Sequence, residues 1–416
     1  MANFGHKPVP TFDPYSPEFL DDPYPTYARL REETPVFHDP RWELTFFTTH
    51  ADVSAILKDR ERFGRDFRHR VPIEDVDQDL YRRIYPPQWP TWTRYIRESF
   101  IDLEPPRHTR LRRLVSKAFT RRSSEVFRSD LESAAERILV SALDTGRIEA
   151  IKDLATPIPL AMIAELMGIG PEDQPRLVEW SHAIVSVFDQ GVTEEQGAAA
   201  EKATSDFVDF LGAVIAERRA HRGDDLISAM IEIDEAGDSL TNEEIIGTSI
   251  LTLNAGHEAT VHAIGNGLLA LSSDPEAYEK LRSDGDVAAA VDELLRYDSP
   301  LQMFERWVLE DTAISGHPLK KGTKVGLLFG SANHDPAQFG DSSERLDLSR
   351  SPNAHVSFGA GLHYCVGAPL ARVELEAALS VFVRRVRTLA LVAAEERIES
   401  LVFRGVGRLE LEMDAA

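Results

Sequence analysis

From Ile245 to Ser273 the chain carries a single formal charge, Glu258. A stretch so long and so poor in charge has to be withdrawn from water on nearly every side. Gly, Thr, Ser, Asn and His interrupt it throughout, unlike a bilayer-spanning segment, so it reads as one long buried helix. Such a helix needs others packed around it, and a mainly helical fold with a large core follows. Thr241-Asn-Glu-Glu244 stands just before the run and matches the capping-box pattern, as does Thr193-Glu-Glu-Gln196 upstream.

Apolar periodicity predicts further helices over 23–33, 50–58, 106–118, 123–145, 157–167, 172–188, 194–222, 242–271, 287–297 and 368–386. Strand patterns are short and fall mainly near 36–49, 307–329 and 401–413, so the sheet is a minority component. No linker, repeat or low-complexity block divides the 416 residues, and a single large domain over 1–416 is expected.

The only cysteine, Cys365, lies in Phe358-Gly-Ala-Gly-Leu-His-Tyr-Cys-Val-Gly367, directly ahead of a helical pattern with Pro369 in its first turn. Gly359, Gly361 and Gly367 permit tight turns and close approach to a flat ligand, and a helix N-terminus favours a neighbouring thiolate. A lone cysteine is usually an inert small hydrophobe, but this spacing suits a thiolate gripping a metal. It also excludes an intramolecular disulfide.

Phe358, Gly361, Cys365 and Gly367 form the pattern F-x-x-G-x-x-x-C-x-G, which resembles the haem-binding loop of the cytochrome P450 family of haem-thiolate monooxygenases. The resemblance implies the P450 fold, mainly α with a minor β-rich part. It also implies haem b held by Cys365 as the iron ligand. Glu293 and Arg296 match the family's E-x-x-R pair and take a structural role. Asn333-His-Asp-Pro336 and Glu344-Arg-Leu-Asp347 resemble the segment that closes the network behind the cysteine loop, with Ser342 and Leu346 where proline and phenylalanine are common. His108, Arg112, Arg306 and His363 fall where the family binds the haem propionates, because two buried carboxylates require cations. Phe358, Gly359 and Gly367 complete the cradle.

Ala255-Gly-His-Glu-Ala-Thr260 resembles the family's oxygen-binding motif. Ala255 and Gly256 leave room above an iron, and Glu258 is expected to relay protons as a carboxylate whose pKa burial raises. Ala259 occupies the position of the usual threonine. Thr260 follows it, and successive helical residues point about 100° apart, so one hydroxyl does not simply replace the other. A substrate hydroxyl, or water ordered by Glu258, is expected to supply the missing proton.

The formal net charge of −23 argues against nucleic acid as a partner. Yet Arg107 to Arg122 holds seven Lys or Arg residues and no acid. The resemblance gives this segment an inward haem-binding face. Its outward face, with Arg110, Arg113 and Lys117, would receive an acidic ferredoxin-type donor that works with its reductase. The N-terminal stretch lacks the pattern of a secretory signal, so a cytoplasmic protein without membrane association is expected.

By the same resemblance, the aromatic segment Tyr81 to Phe100, with Trp89 and Trp92, would correspond to the loop region that covers the distal pocket. Leu251, Leu253, Leu301, Met303 and Phe304 are expected to border it. A dioxygen-dependent hydroxylation of a medium-sized, mostly apolar organic substrate is therefore the leading reading. Three alternatives stay open at this point. One is a haem-thiolate oxidase or peroxygenase performing coupling, desaturation or demethylation. The others are a non-catalytic haem sensor and a hydrolase with Cys365 as nucleophile.

Overall fold

A computed structural model describes residues 12–416 apart from 190, 236–237 and 394–395. The helix Asn242–Ser273 runs unbroken through the middle of the protein, 32 residues long and buried along most of its length. Thr241 Oγ1 accepts from the Glu244 N–H while the Glu244 side chain accepts from Thr241, so both orphan donors of the first turn are satisfied. Thr193 and Gln196 do the same for the helix Glu194–Ala220. Around the long helix pack Pro157–Met167, Gln174–Val185, Glu194–Ala220, Val287–Tyr297 and Ala368–Arg385. Their inward Leu, Ile, Val, Ala and Phe side chains form one continuous core.

The main sheet has the order Val36–Asp39, Leu44–Phe47, Lys324–Leu328, Met303–Val308, Phe63–Gly64, with only the Leu44–Phe47 and Lys324–Leu328 pair parallel. Arg306 pairs with Val325 in the interior of this sheet, which fixes its backbone. A second sheet joins Val386–Leu391, Glu410–Ala415 and Arg147–Glu149.

The segment 81–100, expected as a loop, instead carries the helices Gln78–Ile84 and Pro90–Arg97. Asp77 caps the first through its own carboxylate. The second is capped from a distance, because the Glu201 carboxylate accepts from the N–H groups of Thr91 and Trp92 at 3.0 and 2.8 Å. A cap supplied from over a hundred residues away leaves no local signature.

Candidate functional site

The Cys365 N–H donates to the Phe358 carbonyl at 2.9 Å, closing the loop on itself just before Gly367 caps the helix Ala368–Arg385. Burial pushes the Cys365 thiol up, and the N–H groups of Gly367 and Ala368 with the Arg112 and Arg372 cations oppose that without overcoming it. Gly359 and Gly361 adopt left-handed φ values of 67° and 69°. A Cβ at Gly361 would lie 2.3 Å from the Leu57 carbonyl oxygen, so both the turn and the close approach demand glycine there. Gly367, expected to serve the same purpose, has an ordinary φ of −81°.

Behind the loop, Arg296 and Glu293 form a bidentate pair at 2.7 and 2.8 Å, both at 0 % exposure. Arg296 also donates to the carbonyls of Asn333, Ser343 and Arg345 at 2.7–2.9 Å. Glu293 accepts from Arg350, Asn353 and the Asp347 N–H at 2.9–3.1 Å. Two buried charges survive only when every donor and acceptor is matched, and this network matches them. It ties the helix Val287–Tyr297 to the segment 333–353 that leads into the cysteine loop.

Between that loop and the long helix lies a cavity with about 2210 Å³ of atom-free space, its mouth included. Cys365, Phe358, Gly359 and Gly367 line one wall, and Ala255, Gly256, Ala259 and Thr260 line the opposite one. Leu251, Leu301, Met303 and Phe304 border it as expected. So does Phe100, from the aromatic segment 81–100, and so do Ile163, Val185, Phe188, Val402 and Phe403, which no local pattern marks.

One end of the cavity is polar. Arg112, Arg306 and His363 line it, and His108 lies directly behind, its ring 4.4 Å from that of His363. Arg306 donates to the Glu305 carbonyl at 2.8 Å and has no ion-pair partner among the described residues. Burial, with Arg65 nearby, pushes its guanidinium down to about 9. Burial likewise pushes His108 down to about 4, aided by His363 and Arg112. Neither ring nitrogen of His108 finds a partner among the described residues, nor does Nδ1 of His363. His363 Nε2 meets Glu104 Oε1 at 3.2 Å. A cluster of two guanidiniums and two imidazoles, partly without hydrogen-bond partners and set around one end of a cavity, is arranged for an anionic guest.

The profile of the family described as Cytochrome P450 matches residues 75–401. The chain belongs to the cytochrome P450 family. It is similar to the polyketide biosynthesis cytochrome P450 PksS of Bacillus subtilis (strain 168), 34 % identical, with 97 % of this chain and 98 % of that protein covered. It is also similar to the cytochrome P450 monooxygenase PikC of Streptomyces venezuelae, at 33 % identity over 90 % of this chain and 86 % of that one. Among solved structures, P450BioI in complex with a hexadec-9Z-enoic acid ligated acyl carrier protein superposes with a TM-score of 0.86. It shares 31 % identity, with 95 % and 99 % of the two chains covered. This P450 is thus a haem b monooxygenase, an oxidoreductase that uses molecular oxygen.

The residues present fit that cofactor. A single thiol faces the cavity from a rigid loop, and His108, without hydrogen-bond partners among the described residues, stands with Arg306 where two propionates would need partners. Cys365, Arg112, His108, Arg306 and His363 would hold the group, and metal coordination would overcome the burial that now favours the thiol.

Two expectations fare differently in the long helix. Glu258 does not line the cavity. Its Oε1 lies 3.3 Å from both Ser181 Oγ and His182 Nε2, on the helix Gln174–Val185, and 3.6 Å from His257 Nδ1. Burial pushes its pKa up, but His257, His182 and His262 outweigh burial and leave it below the ordinary glutamate value, opposite to the direction expected. Thr260 does line the cavity, with its hydroxyl donating to the Gly256 carbonyl at 3.1 Å.

Trp89 and Trp92 are not cavity-lining residues in this P450. Trp92 is buried in the main core with Arg97 stacked 5.0 Å from its ring centre, and Trp89 packs against Gly197, where a Cβ would collide with the indole. Leu253 is likewise buried in the core. The helix carries Arg97 towards the cavity instead. Arg97 and Arg65 flank Asp102 and hold its carboxyl at about 2 against the opposing effect of burial.

Of the basic segment, Arg113 is exposed, whereas Arg110 is drawn to Glu244 at 2.6 Å and to the Ser239 carbonyl at 2.7 Å. Lys117 has its side chain outside the described residues. No helix among the described residues is long and apolar enough to cross a membrane.

Proposed function

We propose that this P450 hydroxylates a medium-sized, mostly apolar molecule of secondary metabolism that carries at least one hydroxyl group of its own. The observation that supports this most directly is the cavity, faced by Cys365 on one side and by Ala255, Gly256 and Ala259 on the other. When bound, haem supplies the oxygen-activating iron to this space. Cys365 would bind its iron, and His108, Arg112, Arg306 and His363 would hold its propionates. The small side chains of Ala255, Gly256 and Ala259 keep clear the room in which dioxygen sits. Leu251, Leu301, Met303, Phe304, Val402 and Phe403 orient the substrate by apolar contact.

The relative of polyketide biosynthesis and the neighbour that holds a fatty acid on a carrier protein support a mostly apolar guest. Electrons arrive singly from a ferredoxin-type donor at the surface around Arg113, next to the loop that presents the sulfur. A hydroxyl on the substrate substitutes for the absent threonine hydroxyl at position 259. A peroxide-driven reaction is the second reading, favoured by the turn of the Glu258 carboxylate away from the cavity.

The first test is the ferrous carbon monoxide spectrum, which shifts to the thiolate type only if the sulfur of Cys365 binds iron. Retention of that spectrum by Cys365→Ser would overturn the assignment. Screening hydroxylated macrocycles and steroids for a low-spin to high-spin transition then identifies occupants of the cavity. Turnover with a surrogate ferredoxin and reductase, compared with turnover by hydrogen peroxide alone, separates the two readings.

A further inference from the structure

Between the long helix and the helix Gln174–Val185, at residues that do not line the cavity, a buried carboxylate and two imidazoles converge. Glu258 Oε1 lies 3.3 Å from His182 Nε2 and 3.6 Å from His257 Nδ1, and all three candidate ligand atoms fall within 4.8 Å of one another. Zinc bound tetrahedrally at about 2.0–2.1 Å keeps its ligands roughly 3.3 Å apart, so two of the three edges already stand near ligand spacing. The third closes by rotation of His182, whose side chain is 60 % exposed. His257 is only 1 % exposed, and neither of its ring nitrogens has a hydrogen-bond partner among the described residues. A buried imidazole left without a hydrogen bond calls for a ligand. Ser181 Oγ, 3.3 Å from Glu258 Oε1, braces the carboxylate, and His262 Nε2 lies 3.9 Å from its other oxygen.

We propose that His182, His257 and Glu258 bind a divalent cation of the zinc class, which clamps the helix Gln174–Val185 to the long helix. Two imidazoles and one carboxylate are a donor set that zinc accepts with a fourth position left to water. The exposed His182 gives the ion its route from solvent. None of the three residues lines the cavity, but Val185 and Phe188 do, three and six positions beyond His182. Pinning His182 therefore restrains the cavity wall, and zinc slows admission of a bulky guest.

The experiment uses the haem-loaded enzyme. Equilibrium dialysis against zinc sulfate, with excess magnesium as a control, gives the stoichiometry. Stopped-flow binding of clotrimazole, read in the Soret band, gives the rate of access to the cavity. One zinc per chain is expected, with affinity reduced at least tenfold in His182→Ala and Glu258→Gln and largely kept in His182→Asp. Zinc is expected to slow azole binding in the wild type and leave it unaltered in His182→Ala. Absence of stoichiometric zinc, or equal binding by His182→Ala, would overturn the site. Zinc that binds without slowing the azole would overturn the clamp. His182 lies at the surface, so that variant decides the matter even if Glu258→Gln fails to fold.

Discussion

Glu374 offers a sharp stability test, because its carboxyl is buried at the cavity edge with Oε1 lacking any partner among the described residues. Burial alone raises its pKa from 4.5 to about 8, since no charged neighbour opposes it. The folded protein therefore holds a proton that the unfolded chain releases near pH 4.5. The associated stability is fully present below that pH and is lost as pH rises towards 8. Integrating the linkage relation gives a loss of under about 1 kcal/mol at pH 5, about 3 kcal/mol at pH 7 and roughly 4–5 kcal/mol above pH 8. Glu374→Gln replaces the acid with a neutral group of the same shape. Its apparent Tm, followed by circular dichroism of the holoenzyme, should match the wild type near pH 5. It should exceed the wild type by several degrees at pH 8, with no further gain beyond. A Tm difference that stays flat from pH 5 to pH 8 would refute the reasoning.

Glu293→Gln leaves the guanidinium groups of Arg296 and Arg350 buried without their counter-charge. It should cost about 3–5 kcal/mol, seen as a lower urea midpoint and weaker haem retention. Gly359→Ala should cost about 1–2 kcal/mol through backbone strain alone. Gly361→Ala should cost clearly more, because its Cβ also meets the Leu57 carbonyl, and paired thermal melts will rank the two. Ala259→Thr should change the product formed per NADPH consumed, and the change should be largest for substrates without a hydroxyl. Unchanged coupling for every substrate tried would remove support for a substrate-supplied proton.

The helical core was legible because its signals are local. Charge depletion and the capping boxes at Thr193 and Thr241 depend on residues within a few positions, and those helices start where the pattern says. The cysteine loop and the Glu293–Arg296 pair were equally readable, since fixed spacings carry them. What stayed hidden depends on distant partners. The helix Pro90–Arg97 takes its cap from Glu201, and Trp92, which a linear reading places in the pocket, packs into the core once that helix turns. The direction of Glu258 was hidden for a similar reason, because His182 and Ser181 come from another helix and draw its carboxylate away from the cavity.

That displacement bears on how a proton reaches bound dioxygen. A helix is too narrow for three consecutive side chains to share one face, so Glu258, Ala259 and Thr260 cannot all serve the cavity equally. Glu258 is committed to the histidines. Ala259 faces the cavity without a polar atom. Thr260 faces it too, but its hydroxyl hydrogen is spent on the Gly256 carbonyl, leaving only lone pairs to offer. At positions 258–260, therefore, the wall opposite Cys365 is able to accept a hydrogen bond and poorly able to give one. On the reading proposed above, a guest with a hydroxyl placed near Thr260 would complete the arrangement by supplying the donor these positions lack. On that proposal the same deficit would make the enzyme selective, a guest lacking the hydroxyl binding by apolar contact yet wasting the electrons it triggers.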